Sequence, residues 1–291
     1  MASWEGKSKG TVTGYRIFIY LIKHVGLRAA YGLLLFVSLY YLLFSWRSTQ
    51  EVYRYLRLRH GFSRAKSVWN TYQNYYVFGQ TLIDRIAITA GLRDRYTYEF
   101  DGIENIHELA REQSAGIMIS AHVGNFEVAS HFLDSFEKPI HLVTTDAERE
   151  AIKRFLDSVM AKPTIQFLVV KEDLSHVFEM HQVIADKGMI CFTGDRFMPQ
   201  SKTLTGRLLG KEAAFPAGPF LLSAKLSTPV LFVYVMREKN RHYHLYARKA
   251  QFKNRDAQSL LDAYTNSMEE ILAKYPLQWF NYYDFWQTTK A

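Results

Sequence analysis

The chain has one cysteine, Cys191, so an internal disulfide is excluded. Its surroundings, GMICFTGD (188–195), read as a buried strand, where a thiol packs and does not attack. There is no internal repeat and no low-complexity tract. A Walker loop, a dinucleotide fingerprint and a metal-ligand cluster are also missing, and the glycines near 206–210 lack the cradle a phosphate needs. Neither a metal nor a nucleotide cofactor is therefore expected. Acidic residues are scarce at the start: residues 1–66 carry eleven Lys/Arg but only Glu5 and Glu51, a net charge of +9, while the other 225 residues come to −1. The body thus lacks the basic face of a nucleic-acid enzyme. A basic segment beside an apolar one suits an anionic membrane surface instead.

The apolar segment is AAYGLLLFVSLYYLLFSW (29–46), eighteen residues without a charge. A helix there would be about 27 Å long, near the ~30 Å of a hydrocarbon core. A buried core helix is the alternative, although soluble helices of this length usually carry a polar stripe. No small-residue cleavage site follows, which argues against a signal peptide. The preceding YRIFIYLIKHVGL (15–27) fits an amphipathic extension along the interface. Residues 1–60 are therefore expected to form a basic membrane anchor and 61–291 the globular domain. At 291 residues and 48% apolar, the chain is long enough for one sizeable domain with appendages, or two small ones.

The spacing of Val68, Tyr72, Tyr75, Tyr76, Leu82 and Ile86 predicts a long helix over about 62–90. Short β-like runs follow at 96–100, 116–121, 140–145, 165–170, 188–194, 230–237 and 242–252. Helical stretches fall at 104–112, 125–136, 147–160, 172–186, 216–226 and 257–274. This alternation predicts an α/β fold with a mostly parallel sheet flanked by helices. The last two strands read as an antiparallel hairpin at a sheet edge, turning at Lys239-Asn240.

Four of the ten histidines are followed five residues later by an acid: His107, His122, His141 and His181. His107 and His181 lie in helical runs, and His141 begins a strand. Only His122 stands where an apolar strand, GIMISA, gives way through HVG to an amphipathic run, NFEVASHFL, with Asn125 as its N-cap. Ligands of α/β sheets bind at the carboxyl ends of strands, where helix N-termini favour negative charge. Gly124 permits close backbone approach. An imidazole at such a place can take a proton from a hydroxyl or amine, with a carboxylate, here Glu127, fixing its tautomer. The residues alone equally allow Glu127 to be a helix cap and His122 a satisfied polar residue at a turn.

HVGNFE (122–127) resembles the H-x4-[DE] motif of the late lauroyl/myristoyl acyltransferases of lipid A synthesis, within the lysophospholipid acyltransferase superfamily. GDRF (194–197) is similar to that family's second block, FPAGPFLLSAKLSTPVLFV (215–233) to a later one, and YPLQW (275–279) to its usual ending. Together with the apolar anchor, these cover most of residues 20–286 in the family's order. The resemblance implies that His122 is the general base and Glu127 its orienting partner, with Asn125, Asp195, Arg196, Pro216 and Gly218 beside the substrate. Arg196 would hold a phosphate or the oxyanion, while Pro216 and Gly218 would mainly shape a turn, with Pro216 in the first turn of a helix. It further implies an acyl thioester of acyl carrier protein or coenzyme A as co-substrate, membrane lipids as partners, and an inner-membrane location with the catalytic domain on the cytoplasmic side. The second block is Gly-Asp-Arg and not Gly-Thr-Arg, which departs from the glycerol-phosphate branch. Arg149, Lys153 and Arg154 fall where relatives carry a basic stretch, but a solvated helix face explains them as well.

An acyl chain needs an apolar groove, worth about 0.8 kcal/mol per buried CH2. Trp279, Tyr282, Tyr283 and Trp286 fit either core packing or interfacial aromatics. A hydrolase using the same pair, and a non-catalytic lipid-binding relative, are the alternatives to an acyltransferase.

Overall fold

The computed structural model describes residues 12–111, 115–131, 140–144, 165–170, 175–197, 201–226 and 228–287. Four helices lead the described chain: α1 (Val12–His24), α2 (Leu27–Phe44), α3 (Trp46–Leu58) and α4 (Arg64–Ala87). The apolar run is thus one of three N-terminal helices, with breaks at Gly26 and Ser45. Ser63 starts α4, its hydroxyl accepting from Lys66 N at 3.3 Å.

The strands are β1 (Thr97–Asp101), β2 (Gly116–Ser120), β3 (Ile140–Thr144), β4 (Ile165–Val169), β5 (Met189–Thr193), β6 (Thr203–Leu208), β7 (Lys211–Pro216), β8 (Val230–Arg237) and β9 (His242–Lys249). Seven form one sheet in the order β1-β9-β8-β2-β5-β3-β4, and every pairing is parallel except β8 with β9. The other described helices are α5 (Ile103–Arg111), α6 (Ser175–Ala185), α7 (Ala217–Leu226) and α8 (Ala257–Lys274). All five residues of β2 are buried, as a central parallel strand covered on both faces requires. Ile117 and Ile119 join the core with Leu260, Leu261 and Tyr264 of α8. Met118, between them, packs on the other face with Ile106 and Leu109 of α5. Cys191 belongs to that second layer, where burial pushes its thiol up to about 12, so it stays protonated.

Three expectations need correction. The β8–β9 hairpin is not at the edge, because β1 adds outside β9 in parallel. Residues 203–216, where no strand is predicted, form the separate hairpin β6–β7. Its turn places Leu209 (φ 49°) and Gly210 (φ 79°) both in the left-handed region, which suits the twist of a two-residue hairpin. The helix predicted over 125–136 is a 3-10 turn, Phe126–His131, in its described part. The stretch 147–160, with Arg149, Lys153 and Arg154, lies outside the described residues.

One face of α2 packs on the body through Leu27, Ala30, Leu34 and Ser38, spaced three or four apart. Leu34 sits over Gly79 of α4, where an added Cβ would come within 2.2 Å of Leu34 Cδ1. Its other face exposes Phe36, Tyr40, Leu43 and Phe44 to solvent, unlike a core helix. α2 is the one described helix long and apolar enough to cross a membrane. α3 sends Val52, Tyr55 and Leu56 into the main core, with Tyr55 edge-on to Trp279.

A buried carboxylate ties these layers together. Asp84 of α4, fully buried, pairs with Arg237 Nε at 2.7 Å and accepts from the hydroxyls of Tyr243 (2.7 Å), Tyr96 (3.1 Å) and Tyr31. These donors come from α2, the segment before β1, the end of β8 and β9. Removing one partner of a buried, hydrogen-bonded pair strands the other charge. Asp84→Ala is therefore expected to destabilise the protein by about 3–5 kcal/mol in denaturant unfolding of the detergent-solubilised chain. A change below about 1 kcal/mol would mean the network is not a support.

Candidate active site

The site forms where two parallel strands end side by side. β2 and β5 pair in register, with Ser120 opposite Thr193. Two residues beyond each, His122 and Asp195 therefore arrive level, although 73 positions separate them. His122 Nδ1 lies 2.7 Å from Asp195 Oδ1, and the His122 backbone N–H donates to the same oxygen at 3.1 Å. Trp279 Nε1 donates to Oδ2 at 3.3 Å. Asp195 is 1% exposed, so its charge is held by these donors and not by water.

The turn carrying His122 is clamped by backbone bonds. Gly124 N donates to Gln278 O at 2.8 Å, Asn125 N to Val235 O at 2.7 Å, and Phe280 N to His122 O at 3.1 Å. Gly124 has φ 65°, and a Cβ there would stand 2.1 Å from Val235 O, so the position requires glycine. The Gly124 and Asn125 amides are thus spent on the clamp, and a short 3-10 turn replaces the expected helix N-terminus.

A family model for bacterial lipid A biosynthesis acyltransferases matches residues 68–288, which takes in the whole of this arrangement. The chain belongs to that family. It is an acyltransferase. No curated protein matches the chain.

The acyltransferase's His122–Asp195 pair is electrostatically poised. Burial lowers the His122 pKa below its ordinary value, and the nearby Arg196 charge lowers it further, outweighing the opposite pull of Asp195. The imidazole is therefore neutral at pH 7. Burial would raise the Asp195 carboxyl, but the facing His122, its hydrogen bonds and Arg196 prevail and hold it down at about 2. A neutral imidazole with a buried anion on Nδ1 is set to accept a proton at its other nitrogen and to be stabilised once charged.

The other residues singled out in the sequence are placed differently from one another. Glu127, expected on His122, pairs with Arg85 of α4, and the carboxylate on Nδ1 is that of Asp195. Glu127 lies in the first turn of the 3-10 segment and meets a cation on α4, while the strand register delivers Asp195 to the imidazole. Asn125 is buried and donates from Nδ2 to Thr81 O (3.0 Å) and Tyr243 Oη (3.2 Å), pinning the turn to α4 and β9. Its backbone carbonyl, not its side chain, accepts from Val128 N. Arg196 adjoins the pair and donates through Nη2 to Phe280 O at 2.6 Å. Pro216 ends β7 opposite Thr203, one residue before α7 and not in its first turn. An added Cβ at Gly218 would meet only open space. Trp279 (1% exposed) and Trp286 (8%) are core residues and not interfacial ones. Trp279 as a donor to Asp195 was missed, and so was Arg85. The only signal for Trp279 was its place in the YPLQW block.

If neutral His122 is the working form, the acid limb of kcat/KM should lie below about pH 6.5, since the folded pKa is lowered and activity fails only when the ring protonates. Asp195→Asn removes a charge that raises that pKa, so the limb of its residual activity should move lower still. A limb that stays put in Asp195→Asn would assign it to another group.

Proposed function

We propose that this acyltransferase moves a fatty acyl group from an acyl thioester, on acyl carrier protein or coenzyme A, to a hydroxyl or amine of a lipid acceptor, either a lipid A precursor-like molecule or an aminolipid. The observation that carries this reading is the His122–Asp195 pair, built on the family's histidine motif at the carboxyl ends of parallel strands. His122 Nε2 takes the acceptor's proton as its oxygen or nitrogen attacks the thioester carbonyl. The Asp195 carboxylate stabilises the imidazolium formed. Collapse of the tetrahedral intermediate breaks the C–S bond, and the proton passes from His122 to the departing thiolate. Arg196 lends positive charge to the oxyanion or to an acceptor phosphate. Asn125 supports the turn, and Pro216 and Gly218 shape the approach to α7. The acyl transfer itself uses no metal or nucleotide cofactor.

The apolar outer face of α2, with Trp46 and Trp69 exposed nearby, supports membrane anchoring. The inner membrane, with the catalytic domain on the cytoplasmic side, is the location where acyl thioesters are made. The partners are acyl carrier protein and membrane lipids, with no role for nucleic acid.

Comparative lipid mass spectrometry of a deletion strain tests this reading. Wild type should restore one acyl chain to one lipid class, and His122→Ala should not. Full restoration by His122→Ala would remove His122 from the mechanism. In assays of the purified protein, Asp195→Asn should slow transfer by roughly 10⁴-fold, as loss of a triad carboxylate does. Glu127→Gln should cost far less, and the reverse ranking would make Glu127 the orienting carboxylate.

A further inference from the structure

Away from the pair, β1 and the β8–β9 hairpin bring two histidines and two glutamates together. His242 and His244 are two apart on β9, so their side chains share one face. The parallel register sets Thr97 of β1 beside His242, and Glu99 beside His244. Glu238 follows β8, where the chain turns into β9, and its backbone N–H donates to His242 O at 2.7 Å. His244 Nδ1 lies 2.7 Å from Glu99 Oε1 and 3.6 Å from Glu238 Oε1, and His242 Nε2 lies 3.7 Å from Glu99 Oε1. One ligand atom from each of Glu99, Glu238 and His242 falls within 4.8 Å of the others. Donors bound tetrahedrally at zinc distances stand about 3.3–3.5 Å apart, so contraction by up to about 1.5 Å is needed.

Two details set the cluster apart from chance ion pairing. The buried Nδ1 of His244 stands close to Glu99 yet has no hydrogen-bond partner, as expected of two atoms that face a common third one. In addition, Thr97 Oγ1 lies 2.7 Å from His242 Nδ1, which occupies that nitrogen and turns Nε2 towards the glutamates. Metal-binding histidines are oriented by such an outer partner on the other ring nitrogen. Tyr246 stacks on the His244 ring at 4.2 Å and 7°, fixing its plane.

We propose that Glu99, Glu238, His242 and His244 bind one zinc ion. Two imidazole nitrogens and two carboxylate oxygens make a donor set that zinc accepts. Four protein ligands leave no open position, so the site is structural and takes no part in acyl transfer. It clips the edge strand β1, joined to the sheet by β9 alone, to the β8–β9 turn. Tyr243 lies between the two histidines, and its hydroxyl donates to Asp84, so the clip braces the frame behind the His122 turn. Local pattern does not mark it, because Glu99 and Glu238 come from distant segments.

The test uses the full chain in detergent, made without a polyhistidine tag, stripped with chelator and titrated with Zn2+ against a chromophoric chelator. One equivalent should bind, and Co2+ in its place should show the visible bands of tetrahedral coordination. Thr97→Val should weaken binding by about 10–100-fold, as loss of an outer partner does. His244→Ala and Glu99→Gln should weaken it at least as much, and the exposed position of Glu99 makes that variant the safer one to fold. His122→Ala should still bind one equivalent. The proposal is overturned if wild type binds no zinc, if Glu99→Gln and Thr97→Val bind as wild type does, or if the equivalent is lost in His122→Ala.

Discussion

Asp84 is a carboxylate placed where no water reaches it, in the face of α4 that meets the sheet. An anion in that position must be met by donors, and it draws four of them from four separate parts of the chain: Tyr31 on α2, Tyr96 before β1, Arg237 at the end of β8 and Tyr243 on β9. Such a network is satisfied in only one arrangement of these elements, so it selects one docking of the N-terminal helices on the sheet. Its influence reaches the site, because Tyr243 also receives the Asn125 amide three residues after His122. The turn that carries His122 is thus held from behind by the same group that seats α2.

The front of the site depends on a second buried carboxylate, used in the opposite way. Asp84 holds a permanent cation, whereas Asp195 faces the His122 imidazole, whose pKa is lowered by burial and by Arg196. Burial alone would push the Asp195 carboxyl towards protonation. At Asp195 the backbone N–H and imidazole of His122, the Trp279 indole and the Arg196 charge prevent it. The C-terminal segment therefore supports the His122–Asp195 pair besides covering the core. Gln278 and Phe280 clamp the His122 turn through their backbones, and Trp279 between them holds the anion in place.

Much of this architecture could be read along the chain, because local pattern carries it. The long helix of α4 follows from its apolar spacing, and the unbroken apolar runs of β2, β5 and β8 announce strands covered on both faces. His122 stands out among the ten histidines since a strand end and a turn are both visible around it. The β6–β7 hairpin escaped because its turn, Leu209-Gly210, carries little of the usual turn chemistry. The edge position of β1 escaped because pairing order leaves no mark on an exposed strand of five residues.

The partner of His122 shows where local pattern ends. The sequence determined that a histidine stands at a strand's carboxyl end, that an acid follows five residues later, and that Gly-Asp-Arg closes another strand. Which carboxylate meets the imidazole was decided by the tertiary structure. Strand pairing is a long-range choice, and only the in-register alignment of β2 with β5 brings position 195 level with position 122. Glu127 is near in sequence, but its turn directs it to Arg85 on α4. Distance along the chain sets which groups can meet cheaply; the packing of buried strands and helices sets which ones do.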